Sequence, residues 1–69
     1  MIFLSAVVKI FDIRGYLVAE LYRGTFARGQ NTFTWQGRDD SGQAVASGVY
    51  LVSAETDDQK LTKKLLLIK

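Results

Sequence analysis

The chain has 69 residues, nine Lys or Arg against seven Asp or Glu, a net charge of +2, and neither Cys nor His. That length allows one domain, spanning residues 1–69, that buries a modest share of its surface. Without Cys and His there are no disulfides and no common zinc or haem sites, the usual neutral-pH base and the strongest side-chain nucleophile are missing, and the weak, dispersed charge gives no nucleic-acid signature.

No cofactor, no metal and no catalytic residue is therefore expected. The apolar stretches Met1–Leu4, Ala6–Val8 and Leu65–Ile68 fall far short of the ~20 residues that cross a bilayer, so direct membrane insertion is not expected either. The N-terminus has no basic segment and no small-residue cleavage site, so it does not read as a signal peptide. An export address, on this reading, lies elsewhere.

Short bursts of β-branched, aromatic and Leu residues alternate with Gly, Asp, Asn and Ser, the pattern of strands and turns. The first predicted strand is Val7–Ile13, starting as early as Ile2, and Arg14-Gly15 turns the chain. Leu17–Tyr22 follows at hairpin distance and Arg23-Gly24 ends it. A loop from Thr25 to Gly29 leads to a third strand, Asn31–Trp35. There Phe33 and Trp35 alternate with Thr32 and Thr34, as in a half-buried strand. Gly37–Gly42 is a polar loop, Ala44–Ala46 a short extended piece, Val49–Thr56 a strand, Asp57-Asp58 a turn, and Lys60–Ile68 the last strand.

Short connections favour antiparallel pairing, and no segment supplies a crossover helix. The expected class is all-β: a small antiparallel immunoglobulin-like β-sandwich with fewer strands than the seven of a complete domain. An open edge is expected, and open edges are pairing liabilities or binding sites.

Four strings carry a resemblance: Val8–Gly15 (VKIFDIRG), Gly29–Gly42 (GQNTFTWQGRDDSG), Val45–Tyr50 (VASGVY) and Thr62–Lys69 (TKKLLLIK). In that order they resemble the C-terminal immunoglobulin-like domains of bacterial secreted proteins. They are similar both to the type A C-terminal sorting domain of the type IX secretion system and to the immunoglobulin-like domain of the flagellar hook-capping scaffold. Physical roles follow for seven structural residues. Trp35 plugs the space between two sheets and its indole needs a partner. Gly37 and Gly42 let a tight loop leave and re-enter the strands. Gly48 turns the chain before Tyr50 enters the core. Asp12 bonds main-chain N–H groups ahead of Gly15. The chain departs from the family in lacking Pro and in having only Ile2–Ala6 where an N-terminal strand belongs: either the chain is trimmed or another copy supplies that strand. Gln36 stands where Asp is frequent, which weakens an ion-binding role for the loop.

The bland readings are preferred for most motifs. Arg38–Gly42 is weighed as a Ca²⁺ loop but read as a solvated turn, since it lacks the spaced acids of a calcium-binding loop. Asp57 and Asp58 beside Glu55 are read as a hairpin tip rather than an acid–base pair. Phe3, Phe11, Tyr16, Tyr22 and Phe26 with Arg14, Arg23 and Arg28 are read as packing and surface charge rather than a nucleic-acid face. The last strand is different. Lys63, Lys64, Leu65, Leu66, Leu67, Ile68 and Lys69 form the candidate recognition strand, with a core strand guarded by lysines as the alternative.

The resemblance implies a non-catalytic sorting and attachment module at the end of a larger exported bacterial protein, secreted or held at the cell surface. The end of the sequence directly after the last strand favours that reading. The alternative is a structural or self-assembly module of the hook-capping type. The implied partner is a secretion or assembly protein, and a homo-oligomer through the exposed sheet edge is expected.

Overall fold

The computed structural model describes residues 3–27 and 33–69, and among these four strands form one antiparallel sheet: β1 (Phe3–Asp12), β2 (Leu17–Ala27), β3 (Gly48–Glu55) and β4 (Lys60–Leu67). The order is β2-β1-β3-β4, so two hairpins lie side by side with β1 and β3 in the middle. The expected all-β, antiparallel class stands, with the four strands in one open sheet.

Directly opposed residues of antiparallel strands share a face, so the register sorts the side chains. Val8, Ile10, Tyr50, Val52, Lys63 and Leu65 lie on one face, and Val7, Phe11, Leu51, Lys64 and Leu66 on the other. Ile10 is fully buried on the first face, against Ala19 and Tyr50. Two register shifts leave Val18 and Leu21 of β2 as extra residues, bulges that increase the local twist.

The second layer is the connection from β2 to β3. Its described part, Phe33 to Ser47, carries an isolated bridge between Arg38 and Ala44 and packs Trp35 and Val45 on the core. This corrects the expected third strand. Phe33, Thr34 and Trp35 do not form a strand, and Asn31 and Thr32 lie outside the described residues, as do Arg28 and Gly29 of the preceding loop. The indole Nε1 of Trp35 donates to the Arg38 carbonyl at 3.0 Å, and Gly37 adopts φ 72°, so the chain curls back on itself directly after Trp35.

β2 is also longer than expected, because Arg23-Gly24 does not end it. β1 begins at Phe3 and supplies partners as far as Ala27, with Ala6 opposite Gly24. The Tyr22 ring lies against Gly24, where an added Cβ would come within 3.1 Å of the phenol oxygen, and its hydroxyl donates to the Thr25 carbonyl at 2.6 Å.

Candidate functional site

β4 is an edge strand, and Lys60, Leu61, Thr62, Lys63 and Lys64 are all exposed. Its core-facing residues change character along the strand. Leu65 and Leu67 are half-buried and pack on the Ile10–Tyr50 cluster, whereas Leu61 and Lys63, on the same face, are exposed. Leu66, on the opposite face, is 62% exposed beside Val49. Beyond the strand Ile68 is exposed, and the Lys69 N–H donates to the Ser47 hydroxyl oxygen at 3.1 Å. The candidate recognition residues Lys63–Lys69 therefore divide into an open part and a part locked into the core.

The other sheet edge, β2, is differently treated. The Asp40 N–H donates to the Val18 carbonyl at 3.2 Å, and Asp40 Oδ1 accepts the Glu20 N–H at 3.0 Å. Both contacts fall within the bulged stretch of β2, where the ladder is irregular and main-chain groups turn outward. Asp40 is the residue that sequence reasoning missed. No local pattern distinguishes it from Asp39, because its partners are some twenty positions away.

The loop holding Asp40 is braced internally. Asp39 Oδ1 accepts from the Ser41 N–H at 3.0 Å, the Ser41 hydroxyl at 2.6 Å and the Gln43 N–H at 3.0 Å. The Ser41 hydroxyl first, and then the Gln43 N–H, hold its carboxyl below the ordinary value of 3.8. Gly42 donates its N–H to the Asp39 carbonyl. Gly37 is buried where the loop crosses β4, and a Cβ there would stand 3.2 Å from Leu67. Trp35 meets Tyr50 edge-on with ring centroids 5.0 Å apart, and the Tyr50 hydroxyl donates to the Ala46 carbonyl at 2.6 Å. Gly48 opens β3 opposite Leu67.

At the β1–β2 turn, Asp12 Oδ1 accepts from the Arg14 and Tyr16 N–H groups, and its Oδ2 pairs with the Arg14 guanidinium at 2.9 Å. Loss of hydration pushes its carboxyl up, but the Arg14 bond and the two N–H groups outweigh that and leave it lowered. Gly15 completes the turn at φ 92° and donates its N–H to the Asp12 carbonyl. The guanidinium of Arg14 lies 4.9 Å from the Tyr16 ring centroid.

Two concavities bear on chemistry. A groove of about 330 Å³ on the core face is lined by apolar residues such as Val8, Ile10, Trp35, Val52 and Leu65, with no acid, base or nucleophile in its lining among the described residues. A shallower crevice brings Asp12, Asp39 and Asp40 near one another, but each carboxylate there already accepts main-chain N–H groups. Among the described residues no group of three or more acids is placed to hold a metal ion. Asp57 and Asp58 sit at the β3–β4 turn, closed by the Thr56 N–H to the Gln59 carbonyl. Phe11 and Tyr22 fall on opposite faces of the sheet, so the aromatic residues do not make one stacking surface.

Comparison with curated proteins and with solved structures gave no match. A scan against protein families did: the FlgD Ig-like domain matches residues 4–60, from the second residue of β1 to the first of β4. With most of its length matched, the chain belongs to the FlgD Ig-like domain family.

Proposed function

We propose that this chain is a non-catalytic structural module of the flagellar hook-capping type, a small β unit that helps hold a larger bacterial assembly together at or beyond the cell surface. Family membership across residues 4–60 carries the reading. The apolar groove and the carboxylates already engaged by main-chain N–H groups support it, because among the described residues neither brings together the base and nucleophile that a reaction needs. The partner is an assembly protein met along the β4 edge, and a second copy of the chain is the competing occupant of that edge. The test is a graft. Residues 1–69 replace the immunoglobulin-like domain of a hook-capping scaffold, and hooks are scored by electron microscopy. Hooks of normal form are expected; a folded graft that builds none would remove the reading.

The sorting module is the second reading. The observation in its favour is that Lys63 and Lys64, the start of the recognition strand, stand exposed on the sheet's outermost strand. Its test appends residues 1–69 to a periplasm-directed reporter in a bacterium with a working type IX system. Export lost on Lys63→Glu/Lys64→Glu, with folding intact, is the expected result of sorting. Retention of the unaltered fusion leaves the structural module alone.

A further inference from the structure

The two edges of the sheet are not equivalent. On β2, Asp40 holds main-chain groups of Val18 and Glu20. On the outer side of β4, among the described residues, no main-chain group from Lys60 to Leu66 meets another segment, and the first tie is the Lys69 N–H to Ser47. A row of outward N–H and C=O groups is a template for one more strand.

The side chains along that row specify what would fit. Leu61, Lys63 and Leu65 alternate on the core-side face, and Lys60, Thr62, Lys64 and Leu66 on the other. Lys60 lies opposite Glu55 of β3 in the register. Lys63 lies opposite Val52 and Lys64 opposite Leu51, so no acid faces either of them across β3. Two adjacent lysines, one on each face, thus form a positive centre flanked by the exposed Leu61 and Leu66, with the half-buried Leu65 between Lys64 and Leu66. A second copy fits poorly. The strand Lys60–Leu67 contains no acid, so in a two-fold antiparallel pairing every lysine meets a lysine or an uncharged residue.

We propose that the outer edge of β4, from Lys60 to Leu66, binds an extended segment of another protein by strand addition, with two adjacent acidic residues opposite Lys64 and Lys63 and apolar residues opposite Leu66, Leu65 and Leu61. In the antiparallel sense the complementary order is apolar, apolar, acid, acid, polar, apolar. Main-chain bonds hold the segment, and the acids fix its register. This rests on the structural-module reading and names the chemistry of the partner.

The test titrates the whole chain with the peptide IVEETVT, flanked by Gly-Ser, at low salt. One-to-one binding by calorimetry is expected. It should weaken about tenfold or more for the Lys63→Glu/Lys64→Glu chain, and equally for the charge-reversed peptide IVKKTVT on the unaltered chain. The reversed peptide keeps the test valid even if the double variant does not fold. N-methylation at alternate peptide positions on one edge should abolish binding, and on the other edge leave it intact. No binding at millimolar peptide overturns the proposal. So does binding that survives N-methylation on either edge, which is charge attraction without a strand, or binding indifferent to charge reversal. Concentration-dependent dimerisation by light scattering that competes with the peptide assigns the edge to a second copy instead. The graft experiment reads hook assembly and does not depend on this peptide, so either idea can fail alone.

Discussion

Tyr50 ties the covering loop to the sheet in two ways: its ring meets Trp35 edge-on, and its hydroxyl donates to the Ala46 carbonyl. Tyr50→Phe keeps the ring and deletes the bond, leaving a carbonyl at the loop base without its donor. A loss of about 1 kcal/mol is expected in urea denaturation, with an unchanged dependence on denaturant. The acids act at the same scale through pH. Asp12 and Asp39 have folded values lowered from the ordinary 3.8, so the unfolded chain takes up protons first as pH falls. Their stabilisation is complete above that ordinary value and is lost as pH drops through the folded values. Thermal unfolding measured across pH should therefore show the midpoint falling below about pH 4. Asp39→Asn should flatten that acid limb while lowering the midpoint at neutral pH, because the amide is a weaker acceptor for Ser41 and Gln43.

Among the elements, the bulged edge of β2 depends on a side chain from a distant loop. Asp40→Ala should cost about 1 kcal/mol, read by denaturation, and should speed hydrogen exchange at the Glu20 amide that it releases. Asp40→Asn, which keeps an acceptor oxygen, should restore most of the protection. The Asp40 N–H bond to the Val18 carbonyl survives the substitution, so only the Glu20 amide is opened on this edge. The elements also mark where sequence patterns were ambiguous. The alternation of Thr32, Phe33, Thr34 and Trp35 fits any extended stretch lying on an apolar layer. A strand needs a continuous ladder of paired neighbours as well, and Phe33–Trp35 are not part of a strand. Conversely, Arg23-Gly24 has the composition of a turn, yet the pairing with β1 continues through it because partners from Ala6 back to Phe3 are there to be met.

For the whole molecule, fold and docking strand share residues. Leu65 and Leu67 belong to the core-facing layer while Lys63 and Lys64 stand free. Removing Lys64–Lys69 would delete both half-buried leucines, each worth about 1–2 kcal/mol, and half of the β4 pairing. A chain of this length has a total stability of about 3–10 kcal/mol. The truncated chain is expected to show no cooperative unfolding transition by circular dichroism. A secretion or assembly defect in such a truncation would report on folding, which is why charge reversal at Lys63 and Lys64 is the cleaner probe.

The sequence by itself determined the all-β class, the turns at Arg14-Gly15 and Asp57-Asp58, and the lack of Cys and His chemistry, because turn residues, alternation and composition act over a few neighbouring positions. It also made Trp35 and Tyr50 legible as packing residues, since large aromatic side chains in a small chain have few other places to go. Only the tertiary structure decided that β3 lies beside β1, that Asp40 reaches back to β2, and that β4 is left at the edge with its lysines free. Those outcomes are pairings between segments far apart in sequence. They are set by which strands can close together over a shared apolar face, and no local pattern encodes that competition.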